Sequence, residues 1–399
     1  MKFYIRTIGC KLNQLDSARV TAALCAAGHE LAAREEEAEM VVVNSCTVTA
    51  NSDRKSRQAA NGAVRRGVET VVMGCGPRAR PGPWAAALPH SRVFEEEEDL
   101  LAHFGADPES APFPVTSRTR LPVAIQNGCD DLCSFCITRI ARRAHRSVPA
   151  ATVVAHVRSA VAAGVGEVVL TGVNLAAWGA GHTRRPREAR LHELLAAILE
   201  DTEVPRVRVS SCGPQYLHDE FFDVLADPRI CDHLHLSVQS GSPAVLARME
   251  RGHDAATVHR VAAAARRVRP DVALTADFIV GFPGETQAEF EETLAMVRDI
   301  GFAKLHVFPF SPREGTTAAS LADDVPPAEK KRRSAALRAA GQALRRDFIA
   351  AQLGRTRQVL VEEDGTGFTG NYVRLRAPGA AEGALRDVRL TEDTLADRW

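Results

Sequence analysis

Gly128-Cys129-Asp130-Asp131-Leu132-Cys133-Ser134-Phe135-Cys136 spaces three cysteines as C-x3-C-x2-C directly after the apolar residues Val123-Ala124-Ile125. Three thiolates on one tight loop can ligate three irons of a cubane cluster and leave the fourth iron without a protein ligand, an open position for chemistry. Zinc is the competing reading. Structural zinc needs four closed ligands, as paired C-x2-C units or Cys/His pairs, and no fourth partner stands at matching distance. His145, nine residues beyond Cys136, is the one candidate.

Upstream, the first hundred or so residues alternate strand-like and helix-like stretches. Lys2 to Ile8, Met40 to Val43 and Glu69 to Met73 read as strands; Leu12 to Ala27, closed by Gly28, and Ser52 to Arg66, stopped by Gly67, read as helices. This is a small doubly wound α/β domain. Cys10, Cys46 and Cys75 each come just past one of the three strands. The carboxyl ends of neighbouring parallel strands lie along one edge, where open α/β folds bind ligands, so these distant residues converge. A second three-cysteine cluster follows, against the plainer reading of three unrelated buried thiols. Cys25, Cys212 and Cys231 have no partner spacing; Cys25, in an Ala-rich helix, reads as packing.

Downstream, six strands alternate with helices: Val123 to Asn127, Glu167 to Val173, Val207 to Ser211, His233 to Gln239, Val272 to Val280 and Lys304 to Phe310. Six βα units make a partial (β/α) barrel, whose active site belongs at the carboxyl ends of the strands. Polar and glycine-rich punctuation falls there, from Thr171-Gly172-Val173-Asn174 through Gln239-Ser240-Gly241-Ser242 to Gly281-Phe282-Pro283-Gly284-Glu285-Thr286. After a helix from Pro327 to Leu353, short strands and turns predict a small C-terminal β barrel. The domains expected are 1–110, 115–350 and 354–399.

A chain of 399 residues, 45% hydrophobic and 25% charged, has ordinary globular composition and no apolar run near the ~20 residues of a membrane span. Met1-Lys2-Phe3-Tyr4-Ile5 leads straight into a strand and lacks a secretory signal's pattern, so a cytoplasmic location is expected. Nine cysteines in a long cytosolic chain point to metal or redox chemistry rather than disulfides. Formal net charge is zero, but Lys330 to Arg376 carries 11 Lys/Arg against 4 Asp/Glu. Such a region is the footprint of a phosphate-backbone binder, or else an Arg-rich helix that is merely solvated.

The C-x3-C-x2-C loop with Phe135 before its last cysteine is similar to the radical S-adenosylmethionine (SAM) enzymes. With the other segments in view the chain resembles the methylthiotransferases, which replace C–H by C–SCH3. The resemblance rests on Ile8 to Ser17, Asn44 to Thr49, Gly74-Cys75, Gln126 to Cys136, Leu170 to Leu175, His235 to Ser242, Asp277 to Thr286 and His306 to Arg313. Thr369-Gly370-Asn371-Tyr372-Val373-Arg374 looks like the C-terminal signature of the MtaB type, which acts on N6-threonylcarbamoyladenosine beside the anticodon of tRNA; the small barrel then corresponds to a TRAM RNA-binding domain.

The resemblance implies two 4Fe-4S clusters, on Cys129/Cys133/Cys136 and on Cys10/Cys46/Cys75, and two SAM molecules. The first cluster cleaves SAM to a radical that takes the hydrogen from adenine carbon 2; the second carries the sulfur that is methylated and delivered. It also implies Phe135, Ser211, Gln239, Asp277 and Phe308 around SAM, and Arg142, Arg143 and Arg146 at phosphate or substrate. Plainer roles compete: Asp277 as a local cap or ion-pair partner, Phe308 as core. Partners implied are tRNA and an electron donor such as flavodoxin or ferredoxin, with a monomer expected and no membrane. Departures from the family pattern are Gly76-Pro77-Arg78 after Cys75, Val148 in place of a second arginine after Arg146, and an abbreviated terminal barrel. Rival readings are a methylthiotransferase for isopentenyladenosine in tRNA or for a ribosomal-protein aspartate, and a non-enzymatic zinc- or iron-binding RNA-binding protein.

Overall fold

A computed structural model of the chain describes residues 1–107, 111, 113–117, 119–182 and 184–396. Residues 108–110 and 112, where the expected boundary between the first two domains falls, and 397–399, the end of the expected third domain, lie outside the described residues.

Five parallel strands build the N-terminal sheet: β1 (Lys2–Thr7), β2 (Glu30–Leu31), β3 (Met40–Ser45), β4 (Glu69–Gly74) and β5 (Arg92–Val93), in the order β2-β1-β3-β4-β5. Its helices are α1 (Lys11–Ala26), α2 (Ala50–Arg65), α3 (Cys75–Ala79), α4 (Pro81–Ala87) and α5 (Glu97–His103). Every residue of β3 is buried, as a strand covered on both faces requires. Alternation divides its side chains: Met40 and Val42 join Phe3, Val20 and Val71 on one face, while Val41 and Val43 join Val72 and Trp84 on the other. The order reverses at β1, so the crevice at its carboxyl end is the switch point of the fold.

The middle domain holds β6 (Arg120–Ala124), a short ribbon of β7 (Gln126–Asn127) and β8 (Arg146–Ser147), then β9 (Glu167–Thr171), β10 (Val207–Val209), β11 (Ser211–Cys212), β12 (His233–Gln239), β13 (Ala273–Val280) and β14 (Lys304–Pro309). Parallel pairing runs β6-β9-β10 and β11-β12-β13-β14, one six-stranded arc interrupted at Ser210. Helices α6 (Ile137–Arg142), α7 (Ala150–Ala162), α8 (Leu191–Asp201), α9 (Asp219–Leu225), α10 (Pro243–Arg248), α11 (Ala255–Val268), α12 (Gln287–Ile300) and α13 (Pro327–Ala350) accompany it. Period two sorts the strands: Leu234, Leu236, Leu274, Ala276, Phe278 and Val307 enter the apolar core, which leaves His233, His235, Thr275, Asp277, His306 and Phe308 on the opposite, luminal face. The first barrel strand ends at Ala124 rather than Asn127. Gln126 and Asn127 leave the barrel to pair antiparallel with Ser147 and Arg146, which staples the neck of the cysteine loop.

β15 (Thr356–Val361), β16 (Thr366–Thr369), β17 (Arg374–Arg376) and β18 (Leu385–Arg389) form an antiparallel half-barrel in the order β17-β16-β15-β18. Tyr372 and Val373 lie in the connection between β16 and β17. Tyr372 has φ +60°, and the Thr369 hydroxyl accepts the Val373 amide hydrogen at 2.9 Å. This domain closes the amino ends of the barrel strands. Buried Glu167 takes Arg206 at 2.5 Å and Arg208 at 2.7 Å, and the two guanidinium groups donate onward to the carbonyls of Phe368, Thr369 and Gly370. Arg208 also stacks over Tyr372, 4.0 Å from the ring centre.

The basic stretch is mostly engaged inside the protein. Lys330 pairs with Asp323, Arg333 with Glu285, Arg355 and Arg357 with Asp271, and Arg374 with Asp364; Arg332, Arg338, Arg345 and Arg376 also have intramolecular acceptors. Among the described residues, exposed Lys331 and Arg346 are the members left without one. No helix among the described residues is long and apolar enough to cross a membrane.

Burial pushes the Glu167 carboxyl up, but Arg208 and Arg206 outweigh it and hold the group at about 2, below its ordinary 4.5. A depressed carboxylate contributes stability that is full above its unfolded value and is lost as pH falls toward the folded one. Urea unfolding of the wild type should therefore weaken between pH 4.5 and about 2, with a flatter profile for Glu167→Gln. At neutral pH that variant, which strands two buried guanidinium groups, should be destabilised by roughly 3–5 kcal/mol.

Candidate active site

Cys10 caps α1 after β1, Cys46 follows β3 and Cys75 opens α3 after β4, so three adjacent strands deliver three thiols to one edge. A buried amide network fixes the loops between them. Asn13 donates to Asn44 Oδ1 at 2.9 Å and to the Ser45 carbonyl at 3.0 Å, and Asn44 donates back to the Asn13 carbonyl at 2.8 Å. The Ser45 hydroxyl donates to the Met73 carbonyl at 2.6 Å and accepts from the Gly76 amide at 3.1 Å. Gly76 leaves room for Trp84: a Cβ there would lie 2.3 Å from the Trp84 ring. Burial pushes the Cys75 thiol up; the neighbouring Arg142 opposes this, and Cys10 and Cys46 add to it.

The second trio sits on the stapled loop. Gly128 has φ +71°, and a Cβ on it would fall 1.8 Å from the Ala144 carbonyl oxygen, so only glycine lets the two sides of the neck approach. Gln126 spans the same neck, donating to the Gly128 carbonyl at 2.5 Å and accepting from the Asn174 amide at 2.8 Å. Asn174 donates to Cys129 Sγ at 3.7 Å, and Arg251 donates to Cys133 Sγ at 3.0 Å and to the Ser237 carbonyl at 2.6 Å. Cys129 is pushed up to about 12, by burial first and Asp131 second. Burial pushes the Cys133 thiol up as well, and Arg251 opposes this; a bound metal would supply positive charge that favours the thiolates.

Neither trio is a closed zinc site. Among the described residues, the only group of three or more His, Cys, Asp or Glu with ligand atoms within 4.8 Å of one another is His235, Asp277 and His306. Four-coordinate zinc with Zn–S bonds near 2.3 Å would bring its sulfurs to roughly 3.8 Å. His145 is no fourth ligand either, because its ring nitrogens face Gln126 at 2.9 Å and Ser147 at 3.1 Å. All nine cysteines are free of disulfides. Cys25 is exposed, contrary to its packing assignment, whereas Cys212 and Cys231 are buried.

A helix contact and an ion pair link the segments that carry the two trios. α6 starts directly after Cys136 and packs against α3, which starts at Cys75. At its far end Arg142 is buried and pairs with Asp16 of α1 at 2.7 Å, beside Cys75 and Cys10. The guanidinium is thus enclosed and engaged within the protein, with 3% of the residue exposed. Arg143 pairs with Glu96, and Arg146 is exposed. A second fastening joins the domains where Arg313 donates to Thr47 at 2.8 Å and lies 3.5 Å from Asp53, while Arg80 bridges Asp53 and Glu314.

Inside the barrel, a cavity of about 500 Å³ reaches from Cys10 to Tyr372. Ser211 lines it, as do His235 and His306, whose nitrogens hold the two Asp277 oxygens at 3.1 and 3.2 Å. Burial pushes Asp277 up, yet these two imidazoles hold it well below the usual carboxylate range. Phe308 is no core residue; it is 42% exposed, two positions from His306 on the luminal face of β14. Phe135 packs against Met249, Phe282 and Phe310. Gln239 ends β12 with φ +76° at a register shift. The cavity is also lined by Lys11, Arg208, Lys304 and Arg345 and by no carboxylate. Lys11, His235, His306 and Arg251 were not singled out from the sequence, although alternation along β12 and β14 would have exposed the two histidines.

Residues 123–297 match the Radical SAM superfamily, and residues 2–94 match the Uncharacterized protein family UPF0004. The threonylcarbamoyladenosine tRNA methylthiotransferase MtaB of Rickettsia prowazekii is 33% identical over 391 residues, spanning 93% of this chain and 90% of that protein. The tRNA-2-methylthio-N(6)-dimethylallyladenosine synthase of Chloroflexus aurantiacus is 34% identical over 388 residues, 92% of this chain and 82% of that one. This chain belongs to the radical SAM methylthiotransferase family. The methylthiotransferase is therefore an enzyme with 4Fe-4S and SAM as cofactors. Its fold is shared with the radical SAM methyltransferase TsrM of Kitasatospora setae, a structure with bound cobalamin and a [4Fe-4S] cluster (TM-score 0.58, 15% identity, 80% of this chain and 77% of that one).

Both trios suit such cofactors: each offers three thiols, not four, and each has a guanidinium beside it to offset the charge of thiolates. N–H donors to cluster sulfurs raise reduction potential. Arg251→Met should accordingly lower the midpoint of the 4Fe-4S cluster next to it. The shift expected from losing a charge-assisted hydrogen bond of about 1.5–3 kcal/mol is roughly 60–130 mV, at 59 mV per tenfold. An EPR-monitored redox titration reads it, and iron content should be unchanged.

Proposed function

We propose that the methylthiotransferase places a methylthio group on carbon 2 of N6-threonylcarbamoyladenosine next to the anticodon of tRNA. The observation that carries this reading is the cavity beside Cys10, which Lys11 and Lys304 line without an ion-pair partner among the described residues and which no carboxylate lines. Threonylcarbamoyl ends in a carboxylate that such a lining would pair, whereas an isopentenyl group is apolar and would leave Lys11 and Lys304 without a counter-charge. Relatives named for both substrates match at similar identity, so overall likeness does not separate them.

In this reading Cys129, Cys133 and Cys136 hold one cluster, with SAM beside it near Phe135, Ser211, Gln239, Asp277 and Phe308, and Cys10, Cys46 and Cys75 hold a second. When bound, the first cluster and SAM supply a radical able to remove an unactivated hydrogen, and the second supplies sulfur. The chain's own residues position and enclose. Asn174 and Arg251 orient the cysteine loop, the Asn13/Asn44/Ser45 network holds the first trio, and the His235–Asp277–His306 arrangement gives the lumen a fixed polar wall. The target base must leave its stack to reach a lumen of this kind. Exposed Arg146, Lys331 and Arg346, together with the terminal half-barrel, are the surface left to hold RNA backbone. An electron donor of flavodoxin or ferredoxin type and a cytoplasmic monomer complete the reading.

Nucleoside mass spectrometry tests it. Expression of the chain in cells that lack 2-methylthio nucleosides should restore the threonylcarbamoyl form; restoration of the isopentenyl form alone would transfer the assignment to the rival, and neither would refute both. Cys10→Ser/Cys46→Ser should abolish product and halve an iron content of about eight per chain, and Cys129→Ser/Cys133→Ser should do the same.

A further inference from the structure

Lys11 stands at the first position of α1, directly after Cys10, and no acidic residue shares that first turn. A cation at the positive end of a helix is locally unfavourable, the kind of broken rule that marks functional positions. Lys11 is exposed and lines both the luminal cavity and a neighbouring one that Glu362 also lines, and no carboxylate pairs with it among the described residues. Lys304 and His306, two positions apart on β14, line the same cavity, and Lys304 also lacks an ion-pair partner there. By contrast, Arg208 in the same wall is neutralised by Glu167. Thr171 Oγ1 and His233 Nδ1, on cavity-lining residues more than nine-tenths buried, have no hydrogen-bond partner among the described residues.

We propose that Lys11, with Lys304 and His306, forms a carboxylate subsite that reads the acidic end of the substrate's N6 substituent, and that Lys11 is the specificity-determining residue separating acidic from apolar substituents. The proposal rests on the threonylcarbamoyladenosine reading above and names the groups that would enforce it. His235, Asp277 and His306 lie close enough to ligate a divalent cation, but the surroundings argue otherwise. Asp277 already holds both imidazoles, and the wall around them carries Lys11 and Lys304 without an ion-pair partner among the described residues, an environment that repels a cation and attracts an anion.

The test uses the full-length, iron-loaded protein and three anticodon stem-loop RNAs carrying N6-threonylcarbamoyladenosine, its threonine carboxamide analogue, or plain adenosine. Wild type should bind the carboxylate RNA roughly 10- to 100-fold more tightly than the carboxamide RNA, the range for a charge-assisted hydrogen bond. Lys11→Gln should erase that preference and leave affinity for the plain loop unchanged, whereas Lys11→Arg should keep part of it. In turnover, the Lys11→Gln defect should lie mainly in KM. A Lys11→Gln protein with full iron content and an undiminished preference overturns the subsite. Should that variant fail to hold iron, Lys304→Gln, remote from every cysteine in sequence, carries the same expectation, and an unchanged preference there overturns it equally. A stoichiometric non-iron metal that departs in His306→Ala would also overturn it. If wild type methylthiolates the isopentenyl RNA and not the threonylcarbamoyl RNA, the proposed function itself falls; if it forms the threonylcarbamoyl product while Lys11→Gln still discriminates, only the Lys11 assignment does.

Discussion

The buried ion pair between Arg142 and Asp16 sets the relation of the two cysteine trios. α6 begins after Cys136 and ends at Arg142, a rigid arm of six residues, roughly 9 Å at 1.5 Å per residue. The guanidinium at its tip enters the N-terminal domain and meets a carboxylate on α1, the helix capped by Cys10. Burying two charges gains little net stability over an apolar contact of the same shape, because desolvation offsets the attraction. What it adds is registration: a charge left unpaired in that position is costly, so the arm has one favourable seat. Two thiols of the first trio, Cys75 and Cys10, add to the field that holds the guanidinium there.

Around that pair the first trio is assembled by groups that bear no charge. Asn13, Asn44 and Ser45 are fully buried and bond one another across three strand ends, which makes the loop geometry depend on amide and hydroxyl directionality rather than on apolar packing. The Gly76 substitution fits the same logic. Trp84 fills the space where a side chain would stand, and the Gly76 amide is free to bond Ser45.

Much of this was legible in the sequence because it follows from periodicity. Cys10, Cys46 and Cys75 could be placed at one sheet edge once three strands were recognised, and the six barrel strands differ from expectation by a few residues at their ends. The features that escaped are set by partners far away in the chain. Glu167, Arg206 and Arg208 look like polar interruptions of strands; only the carbonyls of residues 368 to 370 explain them. Gln126 and Asn127 continue an apolar strand in sequence but leave it in space, since their partners are Ser147 and Arg146. The partner of Arg142 is hidden for the same reason: Asp16 stands more than a hundred residues upstream of it. The basic C-terminal stretch likewise looked like an RNA footprint, yet its partners, Asp271 and Glu285 among them, lie well upstream.

Charge in this protein is thus allocated by position rather than by total. A chain of zero formal net charge keeps most of its arginines paired inside or between domains and leaves unpaired ammonium groups at the luminal cavity. Lys11 and Cys10 are consecutive residues on one turn, so whatever the lysine holds is presented beside a thiol of the first trio. Reacting partners held in a fixed relation gain effective concentration far beyond that of free encounter. In the proposed reading, recognition at Lys11 and delivery beside Cys10 share one turn and cannot move apart without displacing α1, which the Asp16–Arg142 pair fixes to the barrel.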